Sequence, residues 1–418
     1  MGLGSHVRAF GQYFTRVRVE LMVMMFLQFF VWGAWFVTLS IYVKTRGFNE
    51  YLGWAYSTIN WAAIVSPFFI GMIADRFFSA QKVLGVMHLM GAALMVAAAR
   101  AVSAEAFVGL LLAYALSYMP TLALVNAIAF NQMTNIDKEF PPIRTLGTVG
   151  WIVAGLLISV LGLSETATPM YMAAAAAAVL GVYSFFLPAT PPRSAGKKVT
   201  IGGILGLDAL KLLKTPSFAV FMAASLLVCI PLSFYYAGGA QFLKDLGVPN
   251  ETAKLTMGQM SEVFFLLIMP VFLLRLGVKK MLLIGMAAWA ARYFLWAYGN
   301  NESLTFMLYL GIVLHGVCYD FFFVTGQLYM DRTAPQALRA SAQGLYGFLT
   351  YGVGMVIGSL IAGRVVNLYT AEGVTVWHKV WLLPAVAVVV LMIAFLLFFR
   401  EKTVPAAEKE MVAATAEQ

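Results

Sequence analysis

Charge is scarce in this chain: Asp, Glu, Lys and Arg make up 11% of 418 residues, while 61% are hydrophobic and mean hydropathy is +0.83. That balance excludes a soluble globular protein, whose charged share is about 25%. Cysteine is nearly absent. Cys229 and Cys318 both lie within apolar stretches, which leaves no disulfide framework and no CxxC or Cys/His spacing for a metal. Catalytic signatures are missing too: HExxH, a paired intramembrane Asp motif and Gly-x-Ser-x-Gly do not occur, so an intramembrane enzyme is disfavoured. The net charge of +9 comes from short basic clusters between apolar runs, without the basic stripe and interleaved aromatics of a nucleic-acid binder.

What the chain has is apolar length. About 20 residues cross a bilayer as a helix, and a helix satisfies its own backbone in hydrocarbon. Twelve runs meet that standard, near residues 21–42, 52–74, 83–102, 106–130, 147–163, 169–187, 218–243, 253–274, 281–298, 304–330, 341–366 and 376–399. The first is too long for a signal-peptide core and no small-residue cleavage site follows it, so it is expected to remain as an anchor. With both termini in the cytoplasm, twenty of the 28 Lys and Arg fall inside, seven outside and Arg292 within a run, as the positive-inside rule requires. The polar stretch 188–217 divides six runs from six. The expected fold is an all-α membrane protein of 12 transmembrane helices in two bundles, 1–187 and 218–400, with a cytoplasmic linker and a cytoplasmic tail at 401–418.

The halves echo each other weakly. Gly71, Asp75 and Arg76 follow the second run, and a second basic turn (Arg275, Gly277, Lys279, Lys280) follows the eighth. Paired six-helix halves with a midplane site are a transporter architecture, and the Gly-x-x-x-Asp-Arg turn resembles the conformational loop of the major facilitator superfamily.

Ionisable groups at bilayer depth mark pathways and relays. Of 19 acids only Glu262 and Asp320 lie well inside apolar runs. At 1.5 Å per residue, Glu262 and Arg292 lie about 18 Å from the cytoplasmic side and Asp320 about 14 Å, so they are expected to meet near the midplane. Two readings stand: acids that bind and release a proton with Arg292 as charge partner, or a permanent ion pair holding three helices together. Helical spacing puts Gln259 with Glu262 on one face, and His315 with Tyr319 on another beside Asp320. Arg144, Thr148 and Trp151 form a stripe of cation, hydroxyl and ring, suited to a polar, planar, uncharged ligand. The bland readings are a capping or snorkelling cation for Arg144, ending the 140–144 loop, and a packing or lipid-facing ring for Trp151. Gln28, Trp32, Trp35, Thr38 and Asn126 read as contacts between helices, and Gly352, Gly354 and Gly358 as close-packing positions.

At these residues the chain resembles the nucleoside:proton symporters of the major facilitator superfamily. The resemblance runs through Phe26-Leu-Gln-Phe-Phe-Val-Trp-Gly-Ala-Trp35, Tyr118-Met-Pro-Thr-Leu122, Phe140-Pro-Pro-Ile-Arg-Thr-Leu-Gly-Thr148, Leu205-Gly-Leu-Asp-Ala209, Gln259-Met-Ser-Glu262, Asp320-Phe-Phe322 and Arg339-Ala-Ser-Ala-Gln-Gly344. It implies nucleoside uptake across the bacterial inner membrane by a monomer, with protons as coupling ion and no cofactor. Arg144, Thr148 and Trp151 would line one side of the nucleoside site; Gln259, Glu262, His315, Tyr319 and Asp320 would line the other, with Glu262 and Asp320 coupling the proton. Better-known members carry a Gln and an Asn where Ser233 and Tyr236 stand here, and a tyrosine is expected at His315. These departures keep a symporter of another small polar solute, such as a sugar, in view, and a membrane sensor without transport is the remaining alternative.

Overall fold

A computed structural model describes residues 16–69, 78–191 and 207–400. Gly71, Asp75 and Arg76, together with half of the linker (192–206) and the tail, lie outside the described residues. The described residues are helices joined by short turns and loops, with one small hairpin. The first six helices are α1 (Arg16–Thr45, turning at Val37–Thr38), α2 (Leu52–Phe69), α3 (Ala80–Ala99), α4 (Ala104–Asn131), α5 (Ile136–Val160) and α6 (Thr168–Ser184). α7 (Pro216–Asp245) opens the second set with Pro at its first position, where a missing N–H costs nothing. Glu251–Tyr298 runs as two helices meeting at Gly277, whose φ of 74° is left-handed space that glycine enters freely. They are α8 (251–276) and α9 (278–298). Then come α10 (Thr305–Thr333), α11 (Ser341–Leu368), a two-residue-per-strand hairpin of β1 (Thr370–Ala371) and β2 (Val374–Thr375) with Thr370 opposite Thr375, and α12 (Trp377–Phe398).

Among the described residues, nine helices are long and apolar enough to cross a membrane, Glu251–Tyr298 counting once. Their outer faces are apolar as well. Phe264, Leu267, Val271 and Leu274 on α8 and Val386, Val390, Ile393 and Leu397 on α12 recur at helical spacing and are exposed, as side chains that meet lipid should be. One element departs from the sequence reading. The stretch 140–144, expected to end a loop, lies inside α5, which starts at Ile136. Pro141 and Pro142 fall in its second turn, so only two ladder bonds are lost beside the helix start.

Packing pairs α1 with α5, α3 with α4 and α6, α7 with α11, and α9 with α12. The most extensive contacts between the first six helices and the last six are α2 against α11 and α5 against α8, with α7 also touching α1 and α2. The first is a backbone approach, because a Cβ at Gly363 would stand 2.3 Å from the Gly53 nitrogen. Gly352, Gly354 and Gly358 meet Ile64, the Leu226 carbonyl and the Ser233 hydroxyl respectively, confirming them as close-packing positions. The contacts at Gly53, Ile64 and Gly155 place one long seam through the middle of the molecule, between α1, α2, α5 and α7, α8, α11.

Candidate functional site

The seam holds the polar side chains. A cavity of about 30 Å³, room for one water, is lined by Phe36, Trp151, Tyr235, Tyr236, Thr256 and Gln259 among others. A drug-sized ligand needs a pocket of several hundred Å³, so the site is closed down in this conformation. Trp151 reaches it from α5, held edge to face by Trp32 with ring centres 5.4 Å apart. Two turns earlier on the same helix the Arg144 guanidinium lies over the Phe29 ring at 4.1 Å. Thr148, half-buried, stands between them. Arg144 acts electrostatically on Glu262 and Tyr319 of the opposite set of helices. A cation of one half therefore faces an acid of the other across the seam.

On the far side, Gln259 lines the cavity and Glu262 follows one turn later. Glu262 Oε2 lies 3.8 Å from Nε2 of the buried His315. His315 stacks on Tyr235 with centres 4.9 Å apart, and its Nδ1 has no hydrogen-bond partner among the described residues. One turn on, the Tyr319 hydroxyl pairs with that of Tyr351 at 2.7 Å, bridging α10 and α11. Asp320 is 1% exposed and neither carboxyl oxygen has a partner among the described residues. It opens a π-helical turn, Asp320–Val324, an irregularity frequent at functional positions. Glu262 and Asp320 are close enough to feel each other's charge.

The structure thus brings Arg144, Thr148, Trp151, Gln259, Glu262, His315, Tyr319 and Asp320 to the two walls of one seam. It does not pair Arg292 with either acid. Arg292 is fully buried, and its Nε donates to the Gly311 carbonyl at 2.8 Å and Nη2 to that of Ile312 at 3.4 Å, under a set of aromatic rings. Arg292 points toward the α10 backbone instead, while Glu262 has His315 beside it and Arg144 within electrostatic range. Ser233 also leaves the cavity: its hydroxyl donates to the Cys229 carbonyl at 2.9 Å and packs against α11. Tyr236 does line the cavity, tilted against Phe36 at 5.5 Å. Sequence reasoning overlooked Tyr235 and Tyr351. Their signal was a phenol inside an apolar run, which needs a polar partner when buried. Among the described residues no cluster of His, Cys, Asp or Glu could hold a metal ion.

One end of the seam is latched. Lys44 of α1 pairs with Asp245 of α7 at 2.8 Å, and Asp245 also accepts from Gln241 and from Trp377 Nε1. Lys244 pairs with Glu165 at 2.6 Å at the same end. Both ion pairs join the first six helices to the last six. At the opposite end Arg18 pairs with Glu139, and Lys279 donates to the Leu396 and Phe399 carbonyls.

Polar side chains converging on a seam between two sets of helices, inside a multi-pass apolar shell, are the arrangement of a membrane transporter. Residues 15–404 match the model of the nucleoside H+ symporters, and the chain belongs to that family. It is 44% identical over 402 residues to YegT of Escherichia coli (strain K12), covering 92% of this chain and 94% of that one. With the nucleoside permease NupG of the same bacterium it shares 34% over 405 residues, 93% and 97% of the two chains. The crystal structure of nucleoside transporter NupG superposes with a TM-score of 0.87 at 34% identity, over 93% of this chain and 100% of that one. The POT family transporter PepTSo, 14% identical with a TM-score of 0.69, shares the fold alone.

Proposed function

We propose that this protein carries nucleosides inward across the bacterial cytoplasmic membrane together with protons, by alternating access around the seam. The observation that carries the reading is Arg144 facing Glu262 across the seam, beside the cavity that Trp151 and Gln259 line. In it, twelve spans form two bundles, 1–187 and 218–400, that rock about the site, with both termini and the linker in the cytoplasm and one chain as the working unit. Arg144, Thr148 and Gln259 hydrogen-bond the sugar and base, Trp151 and Tyr319 stack on the planar ring, and His315 shapes the wall beside Glu262. Glu262 and Asp320 take up the proton. Charge buried without a partner is expensive, and a proton neutralises it without a second side chain. Positive-inside counting makes the latched end the outer one, so the conformation described is closed to the outside.

A second reading has an observation in its favour. Ser233 turns away from the cavity while Tyr236 fills part of it, which suits another small polar solute, such as a sugar. Uptake of radiolabelled uridine and adenosine into proteoliposomes, with and without an inward proton gradient, separates the two. Gradient-dependent accumulation is expected; folded protein that carries neither nucleoside would refute the first reading.

A further inference from the structure

What holds Arg292 is backbone and aromatic surface. Besides its bonds to the Gly311 and Ile312 carbonyls, its guanidinium lies 4.3 Å from the Tyr235 ring centre, with Trp289 and Trp296 at 5.5 and 5.9 Å. The next carbonyl along α10, that of Val313, accepts from Ser261 Oγ of α8. Three consecutive carbonyls, 311 to 313, are therefore occupied by side chains from α9 and α8. They stand where α10 is interrupted: Thr305–Val313 is one helical segment, His315–Tyr319 the next, and Leu314 belongs to neither. In a membrane such a break persists only where its freed backbone groups find partners inside the protein, and a side chain inserted into the ladder is a known cause of a kink.

The break immediately precedes His315. The Tyr235 ring that Arg292 covers also stacks on His315. Gly316 seats the following turn directly on α8, where a Cβ would come within 2.5 Å of the Ser261 carbonyl oxygen. His315 is thereby fixed with Nε2 toward Glu262.

We propose that Arg292 and Ser261 are positioning residues: they clamp the interruption in α10 and so set His315 against Glu262. This rests on reading Glu262 and His315 as site residues. Arg292 acts here through its fork of donors and not through its charge. The two roles are separable, because lysine keeps the charge but cannot serve two carbonyls from a planar fork.

The test compares Arg292→Lys, Arg292→Gln, Ser261→Ala and Ser261→Thr in the full chain reconstituted in liposomes. Hydrogen–deuterium exchange over residues 311–318 reads the clamp, while the uridine KM and the pH profile of uptake read its consequence. Both Arg292 variants are expected to speed that exchange at least about tenfold, raise the KM and displace the pH profile. Ser261→Ala should do the same more weakly and Ser261→Thr should restore wild-type behaviour; this mild pair carries the test where an Arg292 variant fails to fold. Wild-type behaviour of Arg292→Lys would overturn the proposal in favour of charge, and unchanged exchange in all variants would overturn the clamp itself. A wild-type protein that carries no nucleoside would refute the transport reading, and the exchange rates would still decide the clamp.

Discussion

The two halves of the seam differ in the kind of buried polar atom left without a hydrogen-bond partner among the described residues: neutral ones in the first (Trp32 Nε1, Trp35 Nε1, Ser40 Oγ and the Tyr114 hydroxyl), ionisable ones besides in the second. Behind the first wall, Gln28 Nε2 donates to Thr121 Oγ1 at 2.7 Å, Gln28 Oε1 accepts from His88 Nε2 at 2.8 Å, and the Tyr118 hydroxyl donates to the Gln28 carbonyl at 2.7 Å. That network ties α1, α3 and α4 together with its partners made. Behind the second wall, both oxygens of Asp320, His315 Nδ1 and Arg292 Nη1 are buried without hydrogen-bond partners among the described residues. Satisfied polar groups specify and stiffen a structure, whereas each unsatisfied one costs free energy and calls for an explanation. In the proposed cycle the second half, with ionisable groups left unpartnered, is the wall whose protonation and hydrogen bonding change, and the first half presents Arg144 and Trp151.

The largest expected effect breaks the second wall. Asp320→Asn should bring gradient-driven nucleoside accumulation down to an inside-to-outside ratio of about one while exchange across the membrane continues, because the coupling is lost and the binding is not. Accumulation at the wild-type level would remove Asp320 from the proton path. Next comes Arg144→Ala, which deletes the stack on Phe29 and the charge opposite Glu262. Loss of charged hydrogen bonds to ligand should weaken uridine binding by about 10- to 100-fold, read by calorimetry on detergent-solubilised protein. An unchanged affinity would return Arg144 to a packing role.

Gln28→Leu sharpens the comparison from the other side. It leaves His88 Nε2 without its partner, takes one of two bonds from Thr121 Oγ1, and should destabilise the fold by about 1–3 kcal/mol, seen as a lower Tm, while the KM moves by no more than about twofold. A large KM change at unaltered Tm would place this network in the site. The smallest effect belongs to the latch: Lys44 and Asp245 are partly solvent-exposed, and such pairs contribute about 1 kcal/mol or less. Lys44→Met should therefore raise the outward-open population by at most about fivefold, measurable as a spin-label distance distribution across the latched end.

Much of the architecture was legible because apolar length is a strong signal. Against twelve runs, nine helices among the described residues are long and apolar enough to cross a membrane, and the turn at Gly277 inside the longest of them falls in the gap between the runs at 253–274 and 281–298. The end of α5 was misread because Pro141 and Pro142 are loop signals that a helix start tolerates. Depth along a helix was also readable, which is why Glu262 and Asp320 were selected. Rotation about the axis was not. Arg292 was assigned to the acids by depth, yet its donors meet Gly311 and Ile312, and nothing in a linear pattern announces that α10 breaks at Leu314. Ser233 shows the same limit, since only the packing of α7 on α11 reveals that it faces away.

In the proposed cycle a proton moves with the nucleoside through the second wall. Proteoliposomes carrying an internal pH dye, given external uridine without any imposed gradient, test this directly. Wild-type protein should acidify the lumen on uridine addition, and Asp320→Asn, though still exchanging uridine, should not. A lumen whose pH stays constant while wild-type protein takes up uridine, or equal acidification by the wild type and by both Asp320→Asn and Glu262→Gln, would contradict it.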